Sequence, residues 1–186
     1  MADTGWILAG AGANDSADGD VAWSNAGNVV ADSSTSASAG PVPKNGTTQH
    51  IRASNFGISL PSGAVVTGVE ARVNRSTGNN AGTNFTDHTI QLLIGGARIG
   101  DNLADTLTYW PVNSSRANAL YGGDDNLWGL SSVAAGDISG AGFGLSVRAI
   151  HTGDGTDAQR YAYIYTVWMR VHYEVRKSTG AFFALL

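Results

Sequence analysis

The chain has no cysteine, and its 186 residues include only two lysines, two glutamates and four prolines. Without thiols it can form neither disulfides nor thiolate metal sites, and thiol catalysis is excluded. Lys and Glu are good helix formers, so their scarcity excludes a helical bundle or coiled coil and argues against an α/β enzyme. Charged residues make up 14% of the chain, against about 25% in an average domain. The net charge of −4 gives no basic footprint for nucleic acid or an anionic membrane. No apolar run approaches the roughly 18 residues that mark a membrane-spanning helix. The segment from Met1 to Trp6 lacks the basic start and apolar stretch of a signal peptide.

What the chain does have is turn chemistry: 25 glycines and thirteen aspartates, with abundant Ser, Thr and Asn. Between the turn signals run short segments of period two. Val69, Ala71 and Val73 alternate with polar residues. Ile90, Leu92 and Ile94 form another inward set, ended by Gly95 and Gly96, and Phe143, Leu145, Val147 and Ala149 a third. Ile51–Leu60 reads as an earlier strand stopping at Pro61-Ser62-Gly63, with shorter pieces near 107–110 and 126–130. The strongest strand places Tyr161, Tyr163, Tyr165, Val167, Met169, Val171 and Tyr173 on one face. About eight such strands indicate an all-β fold, an antiparallel β-sandwich that is jelly-roll-like, with a closed barrel as the alternative. Residues 1–50 read as an irregular, extended N-terminal third packing on the sandwich, because 32–48 is mostly small and polar. Residues 51–175 form the sandwich core, and 176–186 a short apolar C-terminal arm.

The search for chemistry finds no Gly-x-Ser-x-Gly, no His-Glu-x-x-His and no phosphate-cradling loop. The four histidines (50, 88, 151 and 172) stand singly, without zinc-ligand spacing. The chain therefore reads as a non-enzyme with no cofactor. Calcium has two weak candidate loops: Asp15, Asp18 and Asp20 in one, Asp154 and Asp157 in the other. The plainer reading is two polar hairpin tips, since neither ends in the Glu that completes an EF-hand loop. Trp110 and Trp128 are candidates for a glycan-stacking platform, against the plainer reading that their rings cover sandwich ends. Phe182, Phe183, Leu185 and Leu186 crowd together behind Ser178-Thr179-Gly180 and are candidate interface residues. Left free, four such side chains would invite association.

The order of residues from Ala53 to Ala64 and from Val66 to Val73 resembles a jelly-roll module of tailed-bacteriophage structural proteins. Val21–Asn25, Ile99–Asn102, Trp110-Pro111, Tyr121–Leu130, Phe143–Val147 and Val167–Tyr173 extend the match over about residues 4–175. The family comprises capsid decoration, head-fibre and tail accessory proteins. The resemblance implies a non-enzymatic virion component, made in the host cytoplasm and binding a major capsid protein or tail component. A homo-oligomer is expected, with a trimer as one form. The alternative is a carbohydrate- or receptor-binding module of a phage tail or fibre.

Overall fold

Alternating apolar and polar residues in a chain poor in helix formers can bury a core only by stacking two sheets. The computed structural model, which describes residues 1–78, 84–112, 115–153 and 160–176, shows this arrangement. In chain order the strands are β1 (Ala2–Asp3), β2 (Ile7–Leu8), β3 (Ala11–Asp15), β4 (Trp23–Ser24), β5 (Ala37–Ala39), β6 (His50–Ser54), β7 (Ala64–Thr77), β8 (Phe85–Ile94), β9 (Ala97–Ile99), β10 (Ala117–Gly122), β11 (Gly144–His151) and β12 (Ala162–Val175). One sheet runs β10-β7-β12-β5-β4, and the other β3-β6-β11-β8-β9. Each pairing within them is antiparallel.

The eight strands β5 to β12 carry the fold. Counted in chain order, they stand 1-8-3-6 in one sheet and 2-7-4-5 in the other, the connectivity of a jelly roll. Two sheets facing each other replace the closed-barrel alternative. Gly95 and Gly96 both adopt positive φ (58° and 81°) between the paired Ile94 and Ala97. Such a two-residue turn has the twist a tight hairpin needs. The expected inward residues Val69, Val73, Ile90, Leu92, Leu145, Val147, Val167 and Val171 are all fully buried.

Residues 1–50 are woven into the sheets rather than laid upon them. Ala37–Ala39, Ile7–Leu8 and Ala2–Asp3 pair in turn with β12, covering one side of it from Ala162 to Tyr173. The small residues of 32–48 bury well for that reason: Ala37 and Ala39 sit in the core where backbones come close. In the strand expected over Ile51–Leu60, the ladder stops at Ser54. Asn55 and Gly57 take positive φ, which turns the chain out of the ladder, yet Phe56 and Ile58 still bury their side chains. The expected pieces near 107–110 and 126–130 are not strands. The edge strand Ala117–Gly122 takes their place.

Two bulges redirect side chains. In β12 the register shifts between Ile164 and Thr166, and one extra residue exchanges the two faces of a strand. Ala162 and Ile164 therefore point inward with Val167, Met169 and Val171. Tyr161, Tyr163 and Tyr165 are on the outer face, correcting the single tyrosine–valine face read from the sequence. In β8 the register with β11 shifts so that Ala149 faces Asp87 and Arg148 faces Thr89. Strict alternation from Ile90 would turn Asp87 to solvent. The bulge at His88 sends it into the interior with Phe85.

Candidate functional site

Asp87 is fully buried between the sheets, opposite Arg75 from β7. Arg75 and the Trp110 indole Nε1 (2.8 Å) donate to its Oδ1; the Tyr121 hydroxyl (2.8 Å) and the Asp105 backbone N–H (3.0 Å) donate to Oδ2. The guanidinium of Arg75 also lies 4.9 Å from the Trp110 ring centroid and donates to the Tyr121 hydroxyl. Burial, with the Asp87 charge beside it, raises the Tyr121 phenol far above its ordinary value, so it remains a donor. A carboxylate holding four donors is spent on structure: it ties β7, β8, β10 and the 105–110 loop together. A surface hollow of about 290 Å³ opens above this cluster, with Arg75 and Tyr121 at its floor and Thr108, Tyr109, Pro111 and Leu120 around it.

A second cluster lies on the outside of the other sheet. Ser146 Oγ is 2.9 Å from His50 Nδ1, and His50 Nε2 is 2.8 Å from Asp18 Oδ1. Burial and the nearby Arg98 lower the His50 pKa, so the ring is neutral at pH 7. The Asp18 carboxylate can only accept, hence Nε2 carries the proton and Nδ1 accepts from the serine hydroxyl. The residue types are those of a hydrolase triad, but the arrangement is turned inside out. Ser146 has no exposed surface, whereas the Asp18 side chain is 46% exposed and also meets Arg148 (2.8 Å) and Arg98 (3.2 Å). A nucleophile must face its substrate. This set latches the loop carrying Asp18 onto the sheet.

The outer face of the β10-β7-β12 sheet carries the third cluster. Arg72 stacks over Trp6 (4.7 Å) and Trp168 (4.1 Å), and Arg170 over Trp6 (4.6 Å). Glu70 accepts from Arg170 Nε (2.6 Å) and lies 3.0 Å from His172 Nε2. Burial alone would raise the Glu70 pKa, but those two partners hold it below its ordinary value. Farther along β12 the Tyr161 and Tyr163 rings stack at 6.2 Å.

The expected site residues fare unevenly. Trp110 and Trp128 are 2% and 0% exposed, and the Trp128 indole donates to Val69 O (2.9 Å). Neither ring offers a face to a sugar, which corrects the expected stacking platform. Asp15 pairs with Arg98 (3.2 Å), and Asp20 accepts from Thr47 N–H (2.7 Å) and Oγ1 (3.0 Å). With Asp18 also on arginines, two carboxylates of the first calcium loop are paired with guanidiniums and the third is held by Thr47. Among the described residues no group of three His, Cys, Asp or Glu side chains could hold a metal ion. Asp154, Asp157, Phe182, Phe183, Leu185 and Leu186 lie outside the described residues. Sequence reading missed Asp87, Arg75 and Tyr121, whose only signal was a charged residue in each of two alternating strands.

No protein family model and no curated protein matches the chain. Among solved structures it is similar to the CBM22-1 xylan-binding domain from Paenibacillus barcinonensis, with 12% identity and a TM-score of 0.39 over 90% of this chain and 85% of that one. A likeness at that score transfers no residue role.

The remaining surface feature is the free edge of the larger sheet. β10 pairs with β7 on one side, and among the described residues no strand pairs with its other side. Beside it Leu107 and Leu120 are 90% and 63% exposed, with Tyr109 and Val112 also open. Exposed apolar side chains thus lie beside a row of unpaired backbone groups.

Proposed function

We propose that the chain is a non-enzymatic structural protein of a bacteriophage virion, a capsid decoration or accessory protein that stabilises the particle through subunit contacts. The observation that carries the contact role is the β10 edge, unpaired among the described residues, with its exposed Leu107, Tyr109, Val112 and Leu120. The polar clusters favour a structural role as well. Asp87, His50 and Glu70 each spend their hydrogen-bonding capacity on internal partners. The virion assignment draws on the resemblance of residues 4–175 to phage jelly-roll modules. Its localisation would be the assembled particle, and its partner a major capsid protein or a tail component. A cryo-EM map of particles from the phage encoding this chain tests the proposal. Density fitting this jelly roll at symmetry-related surface positions is expected; particles that lack the chain would overturn it.

A second reading has one observation in its favour. The stacked Tyr161 and Tyr163 on the outer face would suit a carbohydrate- or receptor-binding module of a tail or fibre. Glycan-array binding that disappears in a Tyr161→Ala, Tyr163→Ala double variant would select this reading.

A further inference from the structure

We propose that the β10 edge and the hollow beside it receive residues 180–186 of a second copy of this chain. The inference rests on the contact reading above, not on the virion assignment. It names the partner of that surface.

The edge calls for an occupant. Natural sheet edges are guarded by charge, proline, shortness or cover. The other edges follow that rule: β9 carries Arg98, β3 ends in Asp15 and β4 has two residues. Ala117–Gly122 is six residues long and contains no charge and no proline. Its outward backbone groups are a template for an added strand. Ala119 and Tyr121 turn toward the hollow, because they pair with the inward Val73 and Ala71, while Leu120, at its rim, pairs with Arg72 and sits on the outer face. An added strand would thus find apolar contacts on both of its faces.

The chain supplies a segment with the matching chemistry. Residues 178–186 carry no charged side chain, and Phe182, Phe183, Leu185 and Leu186 crowd its far half. In an extended segment Phe183 and Leu185 fall on one face and Phe182 and Leu186 on the other. One pair would enter the hollow among Tyr109, Pro111 and Tyr121, and the other would lie against Leu120.

Reach favours a second copy as the supplier. Val175 pairs with Ala64, whereas Tyr121, at the nearer end of the hollow, pairs with Ala71. Seven residues of β7 separate these points, about 23 Å along the strand. Crossing β7 and β10 to the free edge adds three strand spacings, about 14 Å. The straight path is then about 27 Å. Phe182 stands seven residues beyond Val175, and seven residues span at most roughly 25 Å. Phe182 therefore falls short of the hollow on its own β10. A neighbouring copy has no such limit.

Two full-length variants test the exchange. Leu120→Lys blocks the edge and leaves the segment intact, whereas Phe183→Ser with Leu185→Ser spoils the segment and leaves the edge intact. Sedimentation velocity should show the parent self-associating and each variant weakened at least tenfold, with melting temperatures close to the parent. Mixing the two variants should restore a one-to-one complex, since one sound edge then meets one sound segment. Undiminished association in the segment variant, or no complex on mixing, overturns the proposal. So does a parent that stays monomeric at high concentration. A parent that is monomeric alone yet binds particles would sink this inference and leave the contact reading standing. If L120K lowers the melting temperature, a milder Leu120→Thr edge variant in the same mixing experiment decides.

Discussion

The indole Nε1 of Trp110 lies 2.8 Å from Oδ1 of Asp87, and both residues are buried inside the sandwich. The carboxylate is there because of a bulge, and Arg75 faces it. Removing one partner of a buried ion pair leaves an uncompensated charge and costs about 3–5 kcal/mol. Asp87→Ala is expected to lose stability in that range in urea unfolding. Replacing both partners, as Asp87→Leu with Arg75→Met, should recover much of the loss. A double variant no better than the single one would show that Trp110 and Tyr121, not the charges, hold this region.

Leu92 and Leu120 separate the core from the edge. Leu92 is fully buried on the inward face of β8, so Leu92→Ala should cost about 2–5 kcal/mol. Leu120 is mostly exposed, and Leu120→Ala measured on the monomer should change stability by no more than about 0.5 kcal/mol. Equal losses at the two sites would mean the register of β8 is wrong.

These residues also mark what could be read from the sequence. Alternation placed Val69, Ile90, Leu92, Leu145 and Val167 in the core, because side-chain period alone decides a strand's face. It failed at Asp87 and at Tyr161–Tyr165 for one cause: a bulge shifts the phase by one residue and leaves no local signature. The edge strand Ala117–Gly122 was hidden because its residues are small and its only large inward side chain is Tyr121. His50, Ser146 and Asp18 are far apart in sequence, and only the pairing of β6 with β11 and the fold of the Asp18 loop bring them together. Strand count and turn spacing suggested a jelly roll, but they do not specify which strands pair, so the order within each sheet came only from the structure.

The acid side of the stability curve follows from the same clusters. Burial holds the His50 and His88 pKa values below 6.5. The unfolded chain therefore takes up these protons first, so their contribution is complete above pH 6.5 and lost as pH falls through their folded values. Asp18 and Glu70 are held below 3.8 and 4.5 by partners that outweigh burial, His50 first for Asp18 and His172 first for Glu70. Their contribution is lost only as pH falls below those values. Melting temperature should decline in two stages, one beginning just below pH 6.5 and one below about pH 4.5. A His50→Gln, His88→Gln variant should flatten the first stage and keep the second. An unchanged first stage would place its origin in other groups.

Two glycine substitutions of equal size should act in opposite directions. Gly122 closes β10 with φ +77°, and a Cβ there would lie 2.1 Å from Val69 O and 2.8 Å from the Trp128 Nε1 that donates to that oxygen. Neither atom can yield: one is backbone of a central strand, and the other belongs to a fully buried ring. Gly122→Ala combines a left-handed backbone with an overlap and should cost more than about 1 kcal/mol. It should also change the tryptophan emission, because the Trp128 hydrogen bond is displaced. Gly136 lies in the short helix Ala135–Ser139, and a Cβ there meets nothing within 4 Å. Gly136→Ala restricts the unfolded chain without strain in the folded one, so a gain of about 0.4–1 kcal/mol is expected. Urea unfolding of the two variants beside the parent measures both shifts. A harmless Gly122→Ala would mean that Trp128 does not sit against Val69, and that its ring is free for the surface role its sequence context suggested.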